Sequence, residues 1–365
     1  MKFASLGEKN DLLETDIGRT IMGGKSHLRK FIAYIKLARD EKAANEEKEL
    51  KLYQLIKQEE PDRILYHSKN IYPLLWECNN RGKTIFICPF PYFHYIKGHP
   101  FLTFRKNFGE YLNKLTFRIY NFGVVTSTMM IKKMLNIKDN ITRKQLNNTI
   151  NTRKFIYTIS PSLFPRPSSN VKVLGHQELK GNTEWKPEKS LTDFIAKHDK
   201  IVFITFGSMV TPEPKQKTKI ILDVLKRNNI PAIINTADGG LIKPETFKSE
   251  LVYFVSNIPY EWIFPKMYAV IHHGGAGTTH LEIKYGCAAM IIPHFMDQFL
   301  WNDMICGLGI GPKGVKVSRI TTKNLEPKVL ELLNTKSFKE KSVQIGHQMK
   351  QEDFAEELYN TIIHD

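Results

Sequence analysis

Short apolar runs and longer amphipathic stretches alternate along most of the chain. The apolar runs predict strands near residues 2–6, 62–67, 83–88, 155–159, 200–206, 231–235, 251–255, 269–271 and 288–292. Stretches with apolar residues at helical spacing predict helices near residues 26–57, 71–78, 104–135, 217–228, 260–264, 278–285 and 298–307. Strands that alternate with helices are typical of parallel sheets covered on both faces, so we predict an α/β protein.

A stretch at 166–200, rich in proline, serine and charge, interrupts this pattern before it restarts. At 365 residues the chain is longer than one ordinary domain. We therefore predict an N-terminal domain over 1–170, a C-terminal domain over 171–345, and a terminal helix over 346–365 that packs back on the N-terminal domain.

Composition changes this picture little, because 42% hydrophobic and 25% charged residues are typical of a globular protein. The sequence has no apolar run long enough to span a membrane, and its start does not resemble a signal peptide. Four cysteines are scattered without a Cys-x-x-Cys pair, which predicts neither a disulfide framework nor a zinc site. We expect a protein of the reducing cytoplasm.

Charge is distributed unevenly. The formal net charge is +16, and residues 81–170 hold 15 Lys and Arg against 2 Asp and Glu, beside many aromatic residues. Such a segment suits an anionic membrane surface or a polyanionic acceptor, so we expect peripheral contact with an anionic membrane. The alternative is a solvated face over an ordinary core. No nucleic-acid-binding motif is present, and we expect no nucleic acid partner.

Candidate chemistry centres on the segment from Ala269 to Thr279. An apolar strand is followed by Gly274, Gly275 and Gly277, and then by a helix. Glycines leave backbone N–H groups bare, and a helix N-terminus attracts anions, so this segment predicts a phosphate site. The alternative is a plain strand-to-helix turn; the two histidines before the glycines favour the phosphate site.

Two further segments contain glycines and resemble phosphate-binding turns. Gly207 and Ser208 follow the buried strand at 200–206, at the sheet edge where ligands of open α/β sheets bind. The run 23–26 (Gly-Gly-Lys-Ser) resembles the end of a P-loop, but Thr20 stands where the first glycine is required and no buried strand precedes it. We reject that second interpretation.

Five spaced segments then match one family in order. Together they closely resemble family 1 glycosyltransferases, specifically the sterol glucosyltransferase-like and antibiotic glycosyltransferase branch. The segments are 206–208, 258–265, 272–279, 293–298 and 308–312. The resemblance implies the GT-B fold, in which two Rossmann-like doubly wound domains face each other across a cleft. It also implies that the C-terminal domain holds a nucleotide sugar.

The resemblance also implies roles for particular residues. It places Gly207 and Ser208 at the diphosphate and the segment around Ile258 and Pro259 at the nucleobase. It assigns the phosphates to His272, Gly274, Gly275, Ala276, Gly277 and Thr278, and the sugar hydroxyls to Asp297 and Gln298. Taken alone, Asp297 and Gln298 are more typical of a helix N-cap. The sequence has no Asp-x-Asp metal motif, so we expect no metal and no cofactor beyond the co-substrate.

The chain departs from the family in two places. His280 stands where many plant relatives have a glutamate for the ribose, and Glu282 lies two residues later, so the ribose contact is unassigned. We expect the N-terminal domain to be incomplete, lacking the first βα unit, whose glycine loop helps to supply the catalytic base. Gly98 and His99 resemble that loop locally, but we expect them in an acceptor-side loop. We assign no catalytic residue.

The resemblance implies an inverting transferase that moves a hexosyl group from a UDP- or dTDP-sugar to a hydroxyl of a lipid or other hydrophobic acceptor. The alternative, suggested by the missing unit, is a non-catalytic nucleotide-sugar-binding paralogue or a helper of another transferase. A GT-B-type epimerase fits the motifs less well. A nicotinamide-dependent dehydrogenase is disfavoured, because Gly275-x-Gly277 lacks the third glycine and the acidic residue beyond it.

Overall fold

The computed structural model describes residues 5–6, 17–18, 20, 27–102, 104, 107–164, 167, 171–178, 185–209, 211–237 and 239–364. The strand predicted at 2–6 lies mostly outside this part of the chain, and the two residues of it that are described, Ser5 and Leu6, are not in a strand. The rejected P-loop resemblance at 23–26 also lies outside it.

The N-terminal half forms one parallel sheet in the order β1-β2-β3-β4. Its strands are β1 (Ile64–Tyr66), β2 (Thr84–Cys88), β3 (Lys154–Tyr157) and β4 (Val171–Val173). Its helices are α1 (His27–Glu59), α2 (Tyr72–Asn79), α3 (Glu110–Met134) and α4 (Arg143–Thr152). The sequence pattern did not predict β4 or α4.

The C-terminal half forms a second parallel sheet, in the order β7-β6-β5-β8-β9. Its strands are β5 (Val202–Thr205), β6 (Ala232–Asn235), β7 (Val252–Val255), β8 (Ala269–His272) and β9 (Ala288–Ile291). The helices after β4 are α5 (Lys189–Lys197), α6 (Pro214–Arg227), α7 (Tyr260–Ile263), α8 (Ala276–Lys284), α9 (Gln298–Gly307), α10 (Thr322–Asn334), α11 (Lys336–Lys350) and α12 (Ala355–Ile363).

Both faces of the C-terminal sheet are covered, as its fully apolar strands require. Alternate residues of β5 face opposite sides: Val202 and Ile204 belong to one apolar cluster, and Phe203 belongs to another. The predicted α/β class with parallel sheets is therefore confirmed.

Two of the helices begin at a recognisable capping motif. Thr142 before α4 and Thr321 before α10 each form a capping box with the side chain three residues later.

The chain divides into two compact units. Tyr34–Gly175 and Asp353–Asp365 belong to one, and His176–Glu352 belongs to the other. The terminal helix α12 thus belongs to the N-terminal unit, where Leu358 and Ile362 join Ile85 and Ile156 of the sheet in one apolar cluster. The terminal segment is fixed by polar contacts as well, because Lys172 donates to the Thr361 hydroxyl at 2.7 Å.

The aromatic residues of the basic segment fall into two groups. Some form the interior of the N-terminal unit: Phe86 stacks on Phe155 with ring centroids 4.7 Å apart, and Phe101 stacks on Tyr120 at 4.0 Å. Others, such as Phe122, are exposed on α3. The aromatic residues of this segment are therefore divided between the interior of the unit and its surface. No helix in the described part of the chain is long and apolar enough to cross a membrane.

Candidate nucleotide-sugar site

The strand order of the C-terminal sheet reverses between β5 and β8. Chain connections run outward from these two neighbouring strands in opposite directions. The crevice outside the carboxyl ends of such a pair is where open parallel sheets bind ligands. The Gly207–Ser208 turn follows β5 and the glycine loop follows β8, so the two predicted turns meet at this point.

His273 lies between the two turns. A Cβ atom on Gly207, whose φ is +56°, would lie 3.0 Å from the ring Cε1 of His273. A Cβ atom on Gly275 would lie 2.6 Å from Nε2 of the same ring. The glycines are therefore required sterically, because one imidazole packs against both turns.

Gly274 is constrained still more tightly. Its φ is +95°, a conformation that favours glycine. A Cβ atom there would lie 2.8 Å from Cγ2 of Ile291 and 3.1 Å from Cβ of Gln298. The loop is thus pressed against β9 and the start of α9.

Helix α8 begins directly after the loop. The first backbone bond of the helix runs from the N–H of Thr279 to the carbonyl of Gly275, at 2.9 Å. The N–H groups of Ala276, Gly277 and Thr278 precede it and have no intrahelical acceptor, so they form a donor set at the positive end of the helix dipole. Nothing lies closer than 3.9 Å to the Cβ position of Gly277, where the nearest atom belongs to His176.

His272 does not reach a ligand. Its side chain is fully buried, and its Nδ1 accepts the N–H of Gly274 at 3.2 Å. That bond places the ring proton on Nε2, which lies 2.8 Å from Oε1 of Glu282 without the alignment of a good hydrogen bond. The predicted direct contact between His272 and the phosphates is therefore corrected: this imidazole fixes the loop from beneath.

Burial keeps both members of this pair neutral. It lowers the pKa of His272 to about 3 and raises the pKa of Glu282 well above its usual range. Both side chains have no exposed surface. A neutral imidazole against a protonated carboxyl avoids placing an isolated charge in the interior.

Neither candidate for the ribose contact is accessible. His280 is 1% exposed, and its ring stacks on His176 with centroids 4.5 Å apart and meets Trp301 edge-on. Its Nδ1 lies 2.6 Å from the carbonyl oxygen of Ala276. Glu282 faces His272 as described above. The glutamate two residues beyond the expected position therefore does not replace the family's ribose ligand.

The turn after β5 also differs in part from the prediction. The N–H of Gly207 donates to Oγ1 of Thr205 at 3.1 Å, and the same oxygen lies 3.2 Å from the hydroxyl of Tyr260. The predicted donation from this N–H to the diphosphate is thus corrected, because the donor is already used within the protein. Ser208 is exposed, so its hydroxyl is accessible at the crevice.

The segment predicted to frame the nucleobase starts α7. The Ile258 side chain is buried in an apolar cluster, so only its backbone can face a base. Pro259 precedes the helix, and the ring of Tyr260 stacks on Phe264 with centroids 4.7 Å apart. This arrangement agrees with a contact through the backbone.

Comparison with known proteins finds similar sequences for the C-terminal part of the chain. Residues 247–364 match the model of the erythromycin biosynthesis protein CIII-like C-terminal domain. The chain is 37% identical to the sterol 3-beta-glucosyltransferase UGT80B1 of Arabidopsis thaliana over 180 aligned residues. These residues are 48% of this chain and 29% of the relative. It is 34% identical over 200 residues to UGT80A2 of the same plant, covering 54% and 31%. The chain thus spans less than a third of these relatives.

Solved structures agree on the fold. The calicheamicin glycosyltransferase CalG4 superposes with a TM-score of 0.64 at 12% identity, covering 93% of this chain and 84% of CalG4. The glycosyltransferase VinC, solved in complex with DTDP, gives 0.57 at 15% identity, covering 98% and 83%. In the matched part of its sequence, the chain is similar to family 1 glycosyltransferases. Its fold is GT-B, and its relatives belong to the sterol and antibiotic branch.

In this glycosyltransferase-like chain, the loop before α9 is held by Gln298. Its Oε1 accepts the N–H groups of His294 at 2.7 Å and Phe295 at 3.0 Å, and the residue is 6% exposed. The carbonyl oxygen predicted to face sugar hydroxyls is thus used to shape the loop. Asp297 is less buried and stands at the N-cap position of α9, as the helix-cap alternative predicted, but its side chain makes no cap hydrogen bond. Burial raises the pKa of Asp297 to about 6.

Two residues at the site were not predicted individually. His176 follows Gly175 in the connector and comes within 3.9 Å of the Cβ position of Gly277. His273 was noted only as the neighbour of His272. No local pattern marks His176, because it reaches α8 from about a hundred residues away in sequence. Within the described residues, no cluster of histidine, cysteine and acidic side chains is placed to hold a metal ion.

Proposed function

We propose that the chain transfers a hexosyl group from a UDP- or dTDP-sugar to a hydroxyl of a lipid or other hydrophobic acceptor, with inversion. The observation that carries this proposal is the bare N-terminus of α8 between two glycine turns at the strand-order reversal. When the sugar–phosphate bond breaks, negative charge develops on the departing diphosphate. Fixed N–H groups at a helix N-terminus stabilise that charge without reorganising.

The donor class rests on the backbone and on the relatives. The segment at Ile258 and Pro259 offers backbone groups beside the ring of Tyr260, a geometry suited to a flat pyrimidine base. VinC, a structural neighbour, was solved with DTDP. We propose that the N–H groups of Ala276, Gly277 and Thr278 hold the phosphates, with the Ser208 hydroxyl opposite. Asp297 is our candidate for the sugar hydroxyls. No metal is assigned a role in this proposal.

Inversion follows from a single displacement by the acceptor oxygen. A double displacement would need a carboxylate nucleophile. Glu282, the carboxyl group within α8, is fully buried, and burial raises its pKa well above the usual range, which makes it unsuited to that role. The measurement that tests this step is the anomeric configuration of the product by NMR; a retained anomer contradicts it.

The acceptor is proposed from the relatives and from a cavity in the N-terminal unit. The Arabidopsis relatives are named as sterol 3-beta-glucosyltransferases. The cavity has a volume of about 360 Å³ and combines apolar with polar lining, including Leu74, Phe86, Val124, Asn121 and Arg153. Such a lining suits a hydrophobic molecule that carries a polar group. We propose further that the protein works in the reducing cytoplasm, where its four free cysteines are stable, in peripheral contact with an anionic membrane and without nucleic acid.

Replacing Gly277 with leucine tests the site. The chain tolerates a side chain there, because the nearest atom is 3.9 Å from the Cβ position, but the leucine would cover the donor N–H groups. We expect UDP and dTDP affinity, measured by calorimetry, to fall at least about tenfold, since hydrogen bonds to charged groups contribute about 1.5–3 kcal/mol each. Gly307→Leu, in helix α9 with no atom within 4 Å of the Cβ position, is the matched control. Unchanged affinity in Gly277→Leu would contradict the site.

The same preparation separates the enzyme from its alternative, a non-catalytic nucleotide-sugar-binding paralogue or helper. Transfer of labelled glucose from UDP- or dTDP-glucose to sterols and to a total lipid extract is measured beside nucleotide binding. Transfer supports the enzyme. Tight binding without transfer or donor hydrolysis supports the alternative.

A further inference from the structure

Exposed apolar side chains are concentrated on one helix. Among the described residues, nine of the sixteen exposed large hydrophobic side chains lie between residues 104 and 134. Seven of them lie on α3, and six of these are here called the α3 outer face: Tyr111, Leu112, Leu115, Ile119, Phe122 and Met130. Tyr111 is 76% exposed and Phe122 is 68% exposed. A contiguous apolar surface of this kind marks an interaction site.

The face follows one side of the helix. Leu112, Leu115, Ile119 and Phe122 recur at intervals of three or four residues, so they form a stripe. The α3 outer face, from Tyr111 to Met130, therefore runs for about 28 Å along the helix at 1.5 Å per residue.

The opposite side of α3 carries polar residues into the interior. Asn113 is fully buried; its Oδ1 accepts the N–H of Phe108 at 3.0 Å, and its Nδ2 donates to Asn107 at 2.9 Å. The Thr116 hydroxyl accepts the N–H of Phe101 at 2.8 Å. These polar side chains fix the segment before the helix. The same inward side also carries apolar residues, because Val125 and Ile131 belong to the apolar cluster of the N-terminal unit. The exposed apolar residues of the outer face are therefore additional to those with which α3 packs on the core.

The positive charge of this segment indicates which partner covers the α3 outer face. Arg118 and Lys133 are exposed on α3, and residues 81–170 hold 15 basic against 2 acidic side chains. Both acidic residues already contact lysines: Glu110 lies 2.6 Å from Lys114, and Asp139 lies 2.5 Å from Lys132. The segment thus retains a large positive charge that an anionic surface would neutralise. A second copy of the chain would instead bring like charges together, which is unfavourable.

We propose that the α3 outer face docks on an anionic lipid membrane, with α3 lying along the surface, its apolar stripe in the headgroup region and its cations against anionic headgroups. Amphipathic helices bind membrane surfaces by this combination of apolar burial and charge attraction. The inference deepens the membrane contact proposed above by naming the surface that makes it.

Vesicle flotation of the full chain tests the surface. Vesicles of phosphatidylcholine alone are compared with vesicles that also contain phosphatidylserine, without nucleotide sugar. We expect binding to the anionic vesicles that weakens as salt is added, because salt screens the attraction. We expect Ile119→Asp with Phe122→Asp to weaken binding at least about tenfold, since two buried apolar side chains are lost. Arg118→Glu with Lys133→Glu removes two surface cations and should weaken binding to anionic vesicles by about tenfold or more.

The control is a double variant at comparable exposure. Tyr359→Asp with Ile363→Asp changes side chains that are 59% and 47% exposed on α12. It should float like the unmodified protein. All variants should keep the same melting temperature and the same UDP affinity.

Three results would overturn the proposal. An unmodified protein that does not float has no such membrane contact. Equal flotation of the unmodified protein and Ile119→Asp with Phe122→Asp assigns the contact to another surface. Self-association in sedimentation that this double variant abolishes gives the face to a second copy. Because no donor is present, absence of sugar transfer in a chain that floats counts against the proposed reaction alone.

Discussion

The two units of this chain bury polar side chains but leave different groups exposed. In the C-terminal unit, neutral histidines are buried beneath a glycine loop, and the groups left at the crevice are backbone N–H donors. In the N-terminal unit, helix α3 buries Asn113 and Thr116 and exposes an apolar stripe. The first arrangement preorganises a site before a ligand arrives. The second leaves an apolar surface exposed, which we propose docks on a membrane.

Under the proposed function, this contrast corresponds to two separate tasks. Stabilising a departing diphosphate requires donors that do not move, and buried supporting side chains such as His272 and Gln298 hold the loops that carry them. Docking on a membrane, as proposed for the α3 outer face, requires exposed apolar surface.

The steric requirement at the glycine loop gives the largest effect. Gly274 and Gly239 share a φ of +95°, but only Gly274 has neighbours within 4 Å of its Cβ position. We expect Gly239→Ala to cost about 1–2 kcal/mol for its backbone conformation. Gly274→Ala should cost about 1–3 kcal/mol more, for the overlap with Ile291 and Gln298. Urea unfolding measures both; equal costs would mean that the loop is not pressed against its support.

The buried Glu282 supplies the next test. Glu282→Ala should cost about 1–3 kcal/mol, because truncating a fully buried side chain leaves a cavity in the interior. Since the folded pKa of Glu282 is raised, its favourable contribution is complete below the unfolded value of 4.5 and is lost as pH rises through the folded pKa. Glu282→Gln keeps the shape without that proton. It should match the unmodified protein below pH 4.5 and exceed its stability at higher pH. Identical pH profiles for the two proteins would contradict a buried protonated carboxyl.

The buried imidazoles predict that the folded protein loses stability as the pH falls. Desolvation lowers the pKa of His272, His273, His280 and His294 to about 3 each. The stabilisation of the folded state by each neutral imidazole is complete above the unfolded pKa of 6.5. It is lost as the pH falls towards 3, because between these two values only the unfolded chain binds the proton. Each histidine adds up to about 1.4 kcal/mol per pH unit to the slope of stability.

His280→Asn should therefore flatten the fall in stability between pH 6.5 and 3. The exposed His347→Asn is the control and should leave the slope unchanged. Tryptophan fluorescence suits this experiment, because three of the four tryptophans lie in residues 176–352. A slope that His280→Asn does not change would show that this imidazole is protonated in the folded state.

The smallest effect is expected on the α3 outer face. Phe122→Ala should change the free energy of unfolding by no more than about 0.5 kcal/mol, as an exposed side chain without a structural role. Phe86, 2% exposed among stacked rings, is the contrasting position, and Phe86→Ala should cost about 3–5 kcal/mol. Both are measured by urea unfolding. A large cost at Phe122 would mean that the outer face belongs to the core after all.

The sequence was most informative where one physical requirement dominates locally. The run ending at Phe206 predicted β5 because a strand buried on both faces must be apolar throughout. Helix α4 was missed because it is mostly polar, with Leu146 as its one buried residue and a capping box at Thr142 as its signal. Strand β4, only three residues long, lies within a stretch whose composition is typical of a connector.

By itself, the sequence determined the α/β class, the parallel sheets, and the position of a glycine loop before a helix N-terminus. These features depend on neighbouring residues: apolar runs, backbone freedom and helix starts. Only the tertiary structure decided that His272 is buried, that the Gly207 N–H is already bonded to Thr205, and that Gln298 shapes a loop. The direction and burial of a side chain depend on segments brought together by folding, as the contact between His176 and α8 shows. The residues of a motif can therefore be recognised in a sequence, whereas the group that each one offers to a ligand is set by its neighbours in space.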